Sequence, residues 1–130
     1  MNDKFITSMW DYINMDIETA DELLKVDNPK TYNHIVLCCQ QIIEKALKVF
    51  LAKKGETFGS YHDTKLLCKK AAQINSDFEK FKDICAEARS AYIATHYPDY
   101  DGNKIEFTRQ QCEYFYSAAK ELYELVSINL

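Results

Sequence analysis

The sequence predicts an all-α fold, an up-down helical bundle of four long helices plus one short helix, and three observations carry that prediction. Only 3 Gly and 2 Pro stand in 130 residues, too few for the many tight turns of a sandwich or barrel. Apolar residues recur at spacings of three and four along most of the chain, which lines them up on one face of successive helices. At 47% hydrophobic and 28% charged, the chain has the apolar mass for one core and lies outside the range of disordered chains. A single domain over residues 1–130 is expected.

The first helix, about Lys4 to Lys25, repeats Ile6, Met9/Trp10, Ile13, Ile17, Ala20 and Leu24 on one face and stops at Asp27-Asn28-Pro29. The second, about Thr31 to Lys54, is apolar on most of its surface, from Ile35, Val36 and Cys39 to Phe50 and Leu51. It keeps a narrow polar strip of Gln41, Glu44, Lys45 and Lys48. Lys53-Lys54-Gly55 ends it, with cations at the negative end of the helix dipole and glycine just past the last turn. A short helix from about Tyr61 to Ile74 opens at Ser60-x-x-Asp63, and the fourth helix opens at Ser76-x-x-Glu79, both capping-box patterns. The fourth carries Phe78, Phe81, Ile84/Cys85, Ala88 and Ala91/Tyr92 inward and is stopped by Pro98. After a turn-rich loop, Thr108-x-x-Gln111 caps the last helix, whose inward residues are Cys112, Phe115, Ala119, Leu122/Tyr123 and Val126.

Composition removes several function classes. No stretch approaches the roughly 20 apolar residues that span a bilayer, and the N-terminal residues show no apolar signal-peptide core, so a cytoplasmic protein that does not enter membranes is expected. The cysteines Cys38, Cys39, Cys68, Cys85 and Cys112 form an odd set without a C-x-x-C pair and fall among helix-periodic apolar residues, which predicts reduced core thiols. With 16 basic against 20 acidic residues and a net charge of −4, the chain as a whole lacks the positive field of a tight, unselective nucleic-acid binder; a local basic patch stays open. Walker A, G-x-G-x-x-G, H-E-x-x-H, G-x-S-x-G and EF-hand patterns are missing, and none of His34, His62 and His96 has Glu three residues before it. Neither metal nor cofactor is expected.

One pair carries candidate chemistry. Arg89 and His96 stand seven residues apart, a spacing that returns within about 20° of the same helix face and roughly 10 Å along the axis. An RNA phosphate fits between them. Cleaving RNA without metal needs a base for the 2′-OH, an acid for the leaving oxygen and a fixed positive charge at the phosphorane, and His with Arg supplies these. The plainer alternative has Arg89 in an ion pair with Glu87 or another carboxylate, and His96 against the negative end of the helix dipole. Elsewhere, Lys45 and Lys48 read either as phosphate or partner contacts or as part of a solvated face with a Glu44–Lys48 pair, the latter being expected. Gln40, on the apolar stripe, is expected to hydrogen-bond inside the bundle or across a dimer contact. His62 is expected to pack or cap. Among Tyr114, Phe115, Tyr116 and Tyr123, which could stack on bases, Phe115 and Tyr123 are needed for the core.

Three stretches resemble a HEPN domain of the small bacterial and archaeal kind: Cys39-Gln40-Gln41-Ile42-Ile43-Glu44-Lys45-Ala46-Leu47-Lys48-Val49-Phe50-Leu51, similar to the family's AQQAxEKALKAxL helix; His62-Asp63-Thr64-Lys65-Leu66-Leu67, similar to its H-x-L-x-x-L turn; and Tyr92-Ile93-Ala94-Thr95-His96-Tyr97-Pro98-Asp99, similar to its Y-x-x-x-R-Y-P-D ending. Trp10 and Ala118-Ala119-Lys120 fit as well. The resemblance implies a helical bundle that dimerises, is encoded with a minimal nucleotidyltransferase, and in many branches is a metal-independent RNase using an R-x(4–6)-H motif near the dimer two-fold. Arg89 and His96 match that motif with six residues between them. Ser90 stands where active members place Asn, Asp or His, and His96 stands where the Y-P-D branch commonly has Arg.

The expected function is therefore a HEPN homodimer acting with a nucleotidyltransferase partner in a toxin–antitoxin or defence system, as an RNA-targeting toxin. The alternatives are a stand-alone endoribonuclease and a nucleotide-binding scaffold without catalysis. Arg89 and His96 are the catalytic candidates, and Lys45, Lys48, Ser90 and Tyr97 the binding candidates.

Overall fold

The computed structural model describes residues 3–59 and 62–130 of the chain. Five α-helices carry the fold: α1 (Asp3–Val26), α2 (Tyr32–Lys53), α3 (Thr64–Ile74), α4 (Lys82–Ala94) and α5 (Arg109–Ile128). No strand occurs among the described residues. Helix α2 lies at the centre. It packs on all four others, with α1 and α5 neighbours on one side and α3 and α4 neighbours on the other. Its composition explains the position, because 13 of its 22 residues are buried, and only a helix apolar nearly all round can be covered nearly all round. Each fully buried Ile, Leu or Phe there contributes about 1.5–3 kcal/mol of transfer free energy.

The chain ends its helices by local chemistry. After α1, Asp27 takes a left-handed φ of 54°. Its carboxylate accepts hydrogen bonds from the Tyr32 hydroxyl at 2.7 Å and from Arg109 Nη1 at 3.1 Å. Arg109 also donates to the Leu24 carbonyl at 2.7 Å, so one guanidinium straps the end of α1 to the start of α5. Gly55, at φ 74°, closes α2 as expected: its own N–H donates to Ala52 O and that of Glu56 to Leu51 O. The Thr108–Gln111 capping box forms in both directions, at 3.1 and 2.8 Å.

Two expected boundaries differ. Helix α3 begins at Thr64 with Asp63 as its N-cap, accepting from Leu66 N–H at 3.1 Å. The expected start at Tyr61 and the expected cap Ser60 lie outside the described residues. At the fourth helix the cap is Asn75, whose side chain accepts from Asp77 N–H at 2.9 Å, and Ser76–Phe81 forms a 3₁₀ stretch ahead of α4. Phe78 and Phe81 are both buried. Residues three apart eclipse only when the helix tightens to three per turn, which turns both rings into the core. Four cysteines are buried and Cys38 is half-buried, all as free thiols. Cys85 is pushed up by its hydrogen bond to Cys68 and by burial.

Candidate functional site

The polar strip of α2 is partly covered: Gln41, Lys45 and Lys48 are half-buried and Glu44 is buried. Glu44 is 4% exposed and Gln40 is fully buried. The Glu44 carboxylate accepts from Gln40 Nε2 at 2.9 Å and Lys48 Nζ at 3.1 Å, and both of its oxygens lie 3.1 Å from His62 Nδ1. Gln41 Nε2 donates to Gln40 Oε1 at 2.6 Å. The expected Glu44–Lys48 pair thus exists, but its carboxylate lies under cover and the face around it is only half open to solvent. The segment leading into α3 lays His62 over Glu44, while Asp16 of α1 takes Lys45 at 2.7 Å. A carboxylate this deeply buried needs several donors to replace its water, and the strip supplies them.

From Glu44 the contacts run outward to α4. The His62 ring stacks on Tyr92, centroids 4.4 Å apart and planes at 14°. On its other neighbour, Tyr92 meets the His96 ring at 4.5 Å. Helix α4 has ended by then, since His96 N–H donates to Ile93 O in a tightened turn ahead of Pro98. His96 Nδ1 lies 2.6 Å from the Tyr92 carbonyl and 3.2 Å from Thr95 Oγ1. A carbonyl only accepts, so Nδ1 carries the proton. The lone pair of the neutral ring is then on Nε2, in an exposed residue. His62 obeys the same logic: Glu44 takes its Nδ1–H and leaves Nε2 as the basic atom of a ring whose side chain is 49% exposed.

Arg89 joins this group through Asp63. Its Nε lies 3.5 Å from Asp63 Oδ2, while the same carboxylate caps α3. The carboxylate beside Arg89 is therefore Asp63, one residue from His62, and not Glu87. Both features of the plainer alternative are present, an ion pair on Arg89 and a last-turn carbonyl under His96. The contacts form two groups, Arg89–Asp63 and His62–Tyr92–His96, joined through the backbone by the adjacent residues His62 and Asp63.

The binding candidates scatter. Tyr97 is 65% exposed with its ring 6.3 Å from His96. Lys48 stays with Glu44 and lies over the Phe58 ring at 5.8 Å. Lys45 is engaged by Asp16 and the Tyr12 ring. Ser90 lines a groove with Ile105, Phe107 and Tyr114, whereas Arg89 lines a different groove with residues of α3. Consecutive helical residues point about 100° apart, which separates the two. His62, expected to pack or cap, does pack, on Tyr92 and against Glu44; Glu44 was expected to pair with Lys48, and Tyr92 was not singled out as a site residue. The available signal was the His62-Asp63 doublet, two chemistry-bearing side chains at the mouth of a capped helix.

Among the described residues no group of three or more His, Cys, Asp and Glu is arranged to hold a metal ion. No helix there is long and apolar enough to cross a membrane. Neither the curated proteins nor the solved structures contain a match to this chain. A family model for the HEPN domain matches residues 14–129, which include all the helix contacts that build the site from α2, α3 and α4. The central α2, the His62-Asp63 turn and the tightened end of α4 all lie inside that match, and the chain belongs to the HEPN domain family.

Proposed function

We propose that this chain is the RNA-targeting HEPN module of a toxin–antitoxin or defence-type pair, a cytoplasmic homodimer acting with a minimal nucleotidyltransferase, and that Arg89 and His96 cleave RNA without a metal. One observation carries the reading: the Tyr92 carbonyl, 2.6 Å from His96 Nδ1, selects the tautomer whose basic Nε2 is available in an exposed residue. His96 then acts as general base on a 2′-OH or, once protonated, as general acid at the leaving oxygen. Arg89 neutralises the phosphorane, exchanging Asp63 for phosphate oxygens. Tyr92 and the Glu44-held His62 keep the His96 ring from turning. Ile93 and Tyr97, 58% and 65% exposed beside His96, supply apolar surface for a second copy at this end of α4, in keeping with the dimers of the family.

A second reading, a nucleotide-binding scaffold without catalysis, draws on the Arg89–Asp63 contact, which a phosphate must break. One experiment separates the two. Purified protein is incubated with diverse RNAs in EDTA, alongside His96→Ala and Arg89→Lys. On the nuclease reading, His96→Ala loses about 10²–10⁴-fold in rate with the fold intact, the range for a proton-transfer group. Arg89→Lys loses most activity, because an ammonium cannot make the two-pronged contact. Intact RNA with wild type leaves the scaffold reading standing, and wild-type rates with His96→Ala remove His96 from the chemistry.

A further inference from the structure

Between α3 and α4 runs a groove of about 690 Å³ whose charged lining is Asp63, Lys65, Lys69, Glu79, Lys82 and Arg89. Four cations face two carboxylates there, in a chain where carboxylates outnumber cations 20 to 16. Arg89 holds Asp63, while Lys65, Lys69 and Lys82, like most lysines of the chain, form no ion pair among the described residues, so no carboxylate contact cancels their charge in the groove. Lys65 and Lys69 are also one helical turn apart, and like charges at that spacing oppose helix formation unless an anion lies between them.

The cations form two rows. Lys65 and Lys69 run along α3. Lys82 and Arg89, two turns apart, run along one face of α4 for roughly 10 Å. Because Arg89 meets Asp63 at the start of α3, the helices are antiparallel and the rows flank one channel. Leu66, 38% exposed, adds apolar surface to the lining. At one end the groove is lined by Arg89 and its partner Asp63, the residue that follows His62 in the chain, whose ring lies on Tyr92.

We infer that this groove is a binding site for single-stranded RNA, its lysines holding consecutive backbone phosphates and Leu66 meeting base or sugar. It delivers the strand to Arg89 and His96. Duplex RNA is disfavoured, because a rigid rod cannot sink between two packed helices, whereas a single strand can follow the channel. The inference rests on the RNA reading of the Arg89–His96 site and names the path by which substrate reaches it.

The test uses a fluorescein-labelled 2′-O-methyl RNA oligonucleotide, which cannot be cleaved through its 2′ position, and anisotropy titrations over a range of salt. Three variants are compared with wild type: Lys65→Glu/Lys69→Glu, Lys82→Glu, and Lys4→Glu/Lys120→Glu. The last makes the same charge change as the first, but on the α1/α5 side of α2. All the altered groove lysines are exposed, and unchanged melting curves confirm that the variants fold. The groove assignment requires Lys65→Glu/Lys69→Glu to weaken binding at least tenfold and to flatten the log K against log salt slope by about 1.4, the value for two lost phosphate contacts on a single strand. Lys82→Glu flattens it by about half as much. The α1/α5 control stays within threefold of wild type.

Equal loss in groove and control variants, undiminished binding by the groove variants, or no binding by wild type overturns the assignment. So does a groove variant that converts a dimer to monomer without changing RNA affinity, since the groove is then a self-contact. Parallel cleavage of the unmodified oligonucleotide in EDTA keeps the two readings apart. Cleavage with undiminished binding by the groove variants removes the groove and leaves the nuclease; groove-dependent binding without cleavage does the reverse.

Discussion

Replacing Glu44 by Ala tests whether the polar strip of α2 is a buried cluster. The substitution strands the amide of Gln40, which is fully buried, and the ammonium of Lys48, whose side chain is 12% exposed. His62, at 49% exposure, recovers water for its Nδ1–H. Breaking a buried pair by removing one partner costs about 3–5 kcal/mol, and the slight access of Lys48 to solvent puts this site at the lower end, about 3 kcal/mol. For a domain of this size that lowers Tm by about 10 °C. A solvent-exposed i, i+4 pair would be worth only about 0.3–0.5 kcal/mol. Adding Lys48→Met to Glu44→Ala removes the stranded charge and recovers about 1–2 kcal/mol, so the two changes are strongly non-additive. Urea unfolding followed by circular dichroism, extrapolated linearly to water, measures all three variants. A loss below about 1 kcal/mol for Glu44→Ala, or simple additivity with Lys48→Met, would refute the buried-cluster argument.

Two further outcomes are expected. Burial pushes the Cys38 and Cys112 thiols up to about 11 from an ordinary value of 9.0; the folded state therefore keeps protons that the unfolded chain releases, and their contribution, complete below pH 9, is lost as pH rises towards 11. Urea midpoints should fall more steeply from pH 8.5 to 11 in wild type than in Cys38→Ala/Cys112→Ala, and parallel slopes would contradict the assignment. Light scattering at micromolar concentration should give about twice the 15.2 kDa chain mass, with Ile93→Asp/Tyr97→Asp shifting the population towards monomer; a wild-type mass near that of one chain counts against the dimer.

The all-α class, the order of the helices and the centrality of α2 were legible in the sequence, because each depends on information carried within one helix. A 3.6-residue period sorts side chains onto faces whatever the helix later packs against. The Thr108–Gln111 box and the glycine stop at Gly55 are likewise closed within a few residues. The 3₁₀ stretch at Ser76–Phe81 was not legible, since its tightening answers to a core into which both Phe78 and Phe81 must turn. The same boundary runs through the site. Spacing alone could pair Arg89 with His96 and place Glu44 beside Lys48. It could not say that Glu44 is covered by a histidine 18 residues further on, or that the Tyr92 ring meets both His62 and His96. Nor could it say that Lys65 and Lys69 look across a groove at Lys82 and Arg89. Whether a polar strip meets water, a partner charge or a channel depends on which element lies over it, and that is decided only when the helices pack.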